Sequence, residues 1–388
     1  MRARERPPVP PGRAGRPWPR SYVAPTAVWV VIVVVVAGAV GGLAYVAGSL
    51  GRGGSAAGSP TGNSTFSLLA AGTLSPYFPT LAGDLAAENP GVSAPSATQI
   101  YTGSLGITTG ITTGIDVADV AALADFRLAP ALLEPGSASY EVVFASTPEV
   151  LVYNPTIAAF DGINSTNWGS VLLRAVATPG VAPFGVWNAS TDPNGYNEIF
   201  SMMLEGMLYG GGNVSAVYGH FYSGAPGAFA RPNPAITRPE SEAQAASLVE
   251  EGVVAAAITY RAFSVKFAGP HLAYVPFDPI VGLASNSSAA LADYARLSTT
   301  ILSSTGAPEK VVPAPVLFGI TVPRDAPNPA LGAAFLHLVL SPQGSAVLSE
   351  NGAFTPIFPG WVDRPGAVPP LLAPDVVPMP SWALGLIP

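Results

Sequence analysis

The sequence predicts an α/β fold with mainly parallel sheets, on three observations. From Phe66 onward, short apolar runs of strand length alternate with amphipathic stretches of helix length. The apolar runs break off at glycine, hydroxyl residues or proline, the residues that make turns and open helices. Of the 388 residues, 49% are hydrophobic and 11% charged, which supplies a sizeable core and room for two domains.

The elements follow in order. Phe66–Ala70 reads as a buried strand that stops at Gly72-Thr73-Leu74-Ser75-Pro76. Thr73 or Ser75 can cap the next helix, with Pro76 at its first position, and Leu74, Phe78, Leu81 and Leu85 recur at helical spacing up to Glu88. A strand–turn–helix corner of this kind aims N–H groups, hydroxyls and a positive helix end at one point, which suits an anion. A short strand near Val92 comes next, then a second such corner at Gly103-Ser104-Leu105. Strands are expected at Val117–Leu123, Tyr140–Ala145, Glu149–Tyr153, Val181–Trp187, Val253–Tyr260, Leu272–Val275 and Leu317–Val322. Thr191 to Tyr196 reads as a turn, followed by helices at Asn197–Leu208, Glu242–Glu251 and Asn328–Leu340. The proline-rich tail after Phe358 is expected to wrap the surface.

Charge divides the chain. Six of its 17 basic residues but only one of its 24 acidic residues precede residue 25, which leaves 11 against 23 afterwards, a net charge of −12. Nucleic acid is therefore excluded as a partner, and an anion must be held by locally aimed donors. Residues 1–24 form an Arg/Pro-rich tail, and Val28 to Leu50 is an uncharged stretch long enough to span a bilayer. The arginines before it place the N-terminus in the cytoplasm. The expected order is a cytoplasmic tail (1–24), a transmembrane anchor (25–50), a Gly/Ser-rich tether (51–64) and an extracellular domain (65–388), the whole sitting in the cell membrane. Five Asn-X-Ser/Thr sequons, at Asn63, Asn164, Asn188, Asn213 and Asn286, fit an extracellular domain.

Several chemistries are excluded. The chain has no cysteine, which removes disulfides, thiolate metal sites and a cysteine nucleophile. Its three histidines are scattered, away from metal-ligand spacing, and no G-x-S-x-G elbow, phosphate loop or dinucleotide fingerprint occurs. Neither an enzyme nor a resident cofactor is expected.

Read together, several segments resemble the substrate-binding proteins of ABC transporters, in particular the tungstate/molybdate-binding branch. They are Ala71-Gly72-Thr73-Leu74-Ser75, Gly103-Ser104, Asp119-Val120 with Ala124-Asp125, Phe144-Ala145 with Glu149 to Tyr153, Asn167-Trp168, Asp192-Pro193-Asn194-Gly195-Tyr196, and Pro315 to Pro323 continuing to Pro329. The resemblance covers about residues 66–358. It implies a two-lobed type II periplasmic-binding-protein fold, which here would follow the N-terminal transmembrane helix read from the Val28–Leu50 stretch. Lobe I would be about 65–146 and 268–388, and lobe II about 147–267. It also implies a tungstate or molybdate ligand between the lobes and a permease and ATPase as partners. By position, the binding residues would be Thr73, Ser104, Ser146, Asp192, Thr259 and Tyr260. Asp192 would be a carboxylate able to touch the metal of the oxyanion, although it equally suits a turn in which it bonds its own backbone. The family's second carboxylate falls at Thr259, and its arginine and asparagine after Phe144-Ala145 are here Ser146 and Thr147. With one carboxylate left, a tetrahedral anion held by hydroxyls and N–H groups is an alternative to octahedral coordination. Phosphate or another oxyanion, and a ligand-sensing ectodomain without transport, are the other readings.

Overall fold

The computed structural model describes residues 64–225, 227–232, 242–302 and 306–388. The expected tail, anchor, nearly all of the tether, and Asn63 lie outside them. Among the described residues no single helix is long and apolar enough to cross a membrane.

Eleven strands and seven helices carry the architecture relevant to function. The strands are β1 (Leu68–Ala71), β2 (Gln99–Thr102), β3 (Val120–Leu123), β4 (Val142–Ser146), β5 (Glu149–Tyr153), β6 (Phe184–Gly185), β7 (Ala256–Tyr260), β8 (Ala273–Pro276), β9 (Leu317–Thr321), β10 (Thr355–Val362) and β11 (Val376–Pro378). The helices are α1 (Phe78–Glu88), α2 (Ser104–Thr112), α3 (Trp168–Ala177), α4 (Pro193–Leu208), α5 (Glu242–Glu250), α6 (Arg261–Phe267) and α7 (Pro329–Val339).

Two separate sheets define two lobes. The first has seven strands in the order β11-β10-β4-β9-β3-β1-β2, and the second has four, β8-β5-β7-β6. The sheets are mixed rather than mainly parallel. β2, β1 and β3 run parallel, but β9 runs antiparallel to both β3 and β4, and β7 runs antiparallel to β5. The cause is the crossing between lobes. β4 leaves the first sheet at Ser146 and β5 opens the second at Glu149, so only Thr147 and Pro148 separate them. β9, entered on the way back, therefore meets β4 head to tail. Because β8 pairs with β5, the second sheet takes chain from beyond residue 267, the expected end of lobe II.

The strands β1, β3 and β7 are buried along their whole length, which is why they read as continuous apolar runs rather than as alternating ones. Three local expectations are corrected. A 3-10 turn, Gly72–Leu74, stands between β1 and α1, so neither Thr73 nor Ser75 caps that helix; it begins at Phe78 with Pro79 in its first turn. The Asp192-Pro193-Asn194-Gly195-Tyr196 segment is a helix start rather than a free turn. Asp192 is the N-cap, its side chain accepts from the Asn194 N–H at 2.9 Å, and Pro193 opens α4. The tail is not merely wrapped over the surface: Val376–Pro378 extends the first sheet by pairing with Gly360–Val362, and Met379 and Ala383 are buried against Phe126, Val143 and Leu317.

Candidate functional site

The carboxyl ends of three adjacent parallel strands form one wall. Ala71 ends β1 opposite Thr102 of β2, and Ala70 pairs with Ala122 of β3. Just past those ends lie Thr73, Ser104 and Asp125, all buried. In open α/β sheets this edge, next to helix N-termini, is where ligands sit. Ser104 is the first residue of α2 behind the N-cap Gly103, and its Oγ accepts from the Ala124 N–H at 2.9 Å. That bond fixes the hydroxyl while leaving its hydrogen able to donate.

The opposite wall is the start of α4. The Leu105 N–H donates to the Thr191 carbonyl oxygen at 3.2 Å, so the two lobes touch at the openings of α2 and α4. Gly103 makes the approach possible: an added Cβ would stand 2.3 Å from the Thr191 oxygen and 3.4 Å from the Asp192 Cβ. Asp192 and Ser104 thus lie on either side of one backbone contact.

More links close the lobes on each other. The Tyr196 hydroxyl donates to Asp125 Oδ2 at 2.7 Å, and Arg127 forms an ion pair with the same carboxylate at 2.6 Å. Burial pushes the Asp125 carboxyl up, but the Arg127 guanidinium and the Tyr196 hydroxyl more than offset it and leave Asp125 below the usual carboxylate range. From the second lobe, α6 reaches back to the first. The Tyr77 hydroxyl donates to the Ala262 carbonyl, Arg261 to the Gly352 carbonyl, and Lys266 pairs with Glu350 at 2.5 Å while lying 5.0 Å over the Tyr77 ring.

The floor is the crossing itself. The Thr147 hydroxyl donates to the Ala353 carbonyl and accepts from the Ala262 N–H, each at 3.0 Å, tying both lobes to one side chain. The Glu149 N–H donates to Gly282 at 2.9 Å and the Val316 N–H to Leu283 at 2.8 Å, which sets the outgoing and returning strands side by side. Leu283 holds a left-handed backbone, φ 53°, at this junction.

The expected residues fall as follows. Thr73, Ser104 and Asp192 are brought to the meeting of the lobes. Ser146 is half-buried at the end of β4, where it pairs with both Leu317 and Thr355. Tyr260 is fully buried, and its hydroxyl accepts from Asn197 Nδ2 of α4 at 3.1 Å. Thr259 is not brought onto the same sheet face as Tyr260. It pairs with Val150, toward the small core of Val150, Val152, Val249 and Phe263, and its buried hydroxyl has no partner among the described residues.

Sequence reasoning passed over Glu149. It is fully buried, opens β5, and stands directly across from Tyr260, so the two side chains share a face. Burial, then the Glu149 and Asp192 carboxylates, push the Tyr260 phenol well above its ordinary range. The available signal was phase: in Glu149-Val150-Leu151-Val152-Tyr153 the carboxylate falls on the face of Leu151 and Tyr153, where an apolar residue is the rule.

Two mixed sheets joined by short crossings, with hydroxyls and helix openings facing each other between them, define a two-lobed solute-binding protein of the periplasmic-binding type. Sequence comparison agrees: the chain belongs to the bacterial extracellular solute-binding protein family, whose profile matches residues 66–353. It is 27% identical over 246 residues to the molybdate/tungstate-binding protein WtpA of Pyrococcus abyssi, covering 60% of this chain and 67% of that one. It is also 27% identical over 317 residues to an uncharacterized solute-binding protein of Methanoculleus marisnigri, covering 78% and 85%. Among solved structures, the sulfate-binding protein SubI from Mycobacterium tuberculosis superposes with a TM-score of 0.52 at 15% identity, over 83% of this chain and 96% of that one, a likeness of fold.

Proposed function

We propose that this protein is the membrane-anchored, extracellular receptor of an ABC transporter, and that it captures tungstate or molybdate between its lobes for delivery to a permease. The observation that carries the reading is the meeting of α2 and α4 at Gly103, Leu105 and Thr191, with Thr73, Ser104 and Asp192 around it. Two positive helix ends and two hydroxyls converge where a closed cleft excludes water, and hydrogen bonds to a charged ligand there contribute about 1.5–3 kcal/mol each. The WtpA relative supports the choice of anion.

In this reading Thr73 and Ser104 donate to the oxyanion. Ser146 and Tyr260 form the hinge-side wall. Asp192, whose carboxylate caps α4 through the Asn194 N–H, faces the bound anion. Glu149 on the Tyr260 face, rather than Thr259, supplies the second acid. The protein performs no covalent chemistry; closing of the lobes is what the permease reads.

Titration calorimetry with tungstate, molybdate, sulfate and phosphate tests the assignment. Heat is expected with the two metal oxyanions and a weaker response with sulfate; silence toward both metal oxyanions defeats it. Thr73→Ala and Ser104→Ala are each expected to weaken binding by about 10-fold or more. Parent-like affinity in both would move the site elsewhere.

A further inference from the structure

Eleven asparagines lie in the described residues, and the structure sorts all but Asn351 into two kinds. In Asn89, Asn154, Asn167, Asn194, Asn197 and Asn328 the side-chain Nδ2 donates to a protein acceptor: Leu85, Val249, Gly162, Ile258, Tyr260 and Thr65 respectively. None of these six is a sequon: Asn154 alone is followed two residues later by a hydroxyl residue, Thr156, and Pro155 between them bars it as an acceptor. The four sequon asparagines, Asn164, Asn188, Asn213 and Asn286, are all exposed, and none spends its Nδ2 on the protein.

Three of the four present the amide in one geometry. Asn164 Oδ1 accepts from the Thr166 N–H at 3.0 Å and from the Thr166 hydroxyl at 3.1 Å. Asn188 Oδ1 accepts from the Ser190 N–H, and Asn213 Oδ1 from the Ser215 N–H, each at 3.1 Å. The carbonyl end is therefore held by the residue that completes the sequon, and among the described residues the nitrogen end donates to no protein acceptor. Each site also precedes a helix by a few residues, in a turn that an enzyme can reach: Asn164 before α3, Asn188 before α4, Asn213 before Ser215–Phe221 and Asn286 before Ser288–Tyr294. The distribution is one-sided. All four lie between residues 164 and 286, and residues 64–146 and 317–388, which build the seven-stranded sheet, contain no sequon.

We propose that Asn164, Asn188, Asn213 and Asn286 are N-glycosylated, giving the second lobe a sugar coat and leaving the first lobe bare. The inference rests on the extracellular placement above. The donor is an oligosaccharide carried on a polyisoprenyl phosphate or pyrophosphate. Asn Nδ2 forms the new bond to the anomeric carbon, the bond from that carbon to the lipid-phosphate oxygen breaks, the lipid phosphate leaves with the electron pair, and the amide proton passes to a base of the transferase. Asn164, with threonine holding its carbonyl by two bonds, is the site of highest expected occupancy. Asn188 stands four residues from Asp192, so its glycan sits beside the lip of the cleft.

The test is peptide mass mapping of the full-length protein taken from the membranes of its own cells, with one batch of intact cells first exposed to an external protease. Expected are carbohydrate mass additions on the four asparagines, bare Asn167 and Asn351, and a gel mobility shift lost in the Asn164→Gln/Asn188→Gln/Asn213→Gln/Asn286→Gln variant. Four unmodified asparagines in protein that the external protease cleaves would overturn the proposal while leaving the placement intact. Protein untouched by the protease would overturn both.

Discussion

Gly103 is the position at which closure of the two lobes can be tested with a single methyl group. Its backbone, φ −65° and ψ 134°, is open to any residue, so Gly103→Ala meets no conformational obstacle in its own lobe. The obstacle stands across the cleft. A Cβ would lie 2.3 Å from the Thr191 oxygen, about 1 Å short of an ordinary C–H···O separation. The lobes must then part by roughly that much, or strain, and forcing a methyl into a packed contact costs about 1–3 kcal/mol. That cost falls only on the closed state, so the affinity for the captured anion is expected to fall about 5- to 150-fold. Calorimetry on the solubilised full-length protein reads the loss. Hydrogen exchange reads its cause, because the Leu105 N–H, which donates to Thr191, should exchange faster in the variant. The midpoint of thermal unfolding should stay near that of the parent. Parent-like affinity together with parent-like protection of Leu105 would refute the argument that the lobes close against Gly103.

Further outcomes are expected elsewhere. Tyr196→Phe removes the hydrogen bond to the Asp125 carboxylate, and calorimetry should show affinity weakened by about 1.5–3 kcal/mol, roughly 10- to 150-fold. Thr147→Val leaves the Ala262 N–H and the Ala353 carbonyl without their buried partner and should cost about 2–4 kcal/mol in urea unfolding. Burial pushes the Glu205 carboxyl up to about 7 from 4.5. The unfolded chain therefore ionises first, and Glu205 erodes stability as pH rises from about 4.5 through 7, with no penalty below that window. Glu205→Gln retains an acceptor for the Gly169 N–H, 3.4 Å away, and should gain about 2 kcal/mol at pH 8 after solvent screening, with little change at pH 4. Equal gains at both pH values would show that ionisation is not the cause.

The elements that could be read in the sequence are those whose pattern is set by one neighbour shell. Glu149–Tyr153 shows its strand character plainly, and α7 its apolar face. Gln99–Thr102 escapes notice because alternate residues of this edge strand face outward, and Thr355–Val362 because two prolines interrupt it. The start of α4 was hidden by its own chemistry: aspartate, proline, asparagine and glycine spell a turn and a capped helix equally well, and only the buried residues beyond them decide. The same division runs through the candidate site. Gly72-Thr73 and Gly103-Ser104 are local corners, visible without a partner. Asp125 with Tyr196, Thr147 with Ala353, and Glu149 with Tyr260 are pairs separated by 71, 206 and 111 positions. No local pattern announces them, because it is the crossing of the chain between sheets that brings them together.

That crossing also dictates how the protein can move. β4 is hydrogen-bonded along both edges, to β9 on one side and β10 on the other, and β5 is likewise held between β7 and β8. Neither strand can bend without breaking a ladder, so flexure is forced into the interval between them. The C-terminal strand tightens this further, since Thr355 and Pro356 pair with Ser146 and Ala145 at the very end of β4. The lobes are two stiff covers joined at Thr147 and Pro148 on the way out and beside Leu283 and Val316 on the way back. Any opening of the lobes therefore turns on Thr147 and Pro148, beneath the floor, and separates Asp192 from Ser104 above it.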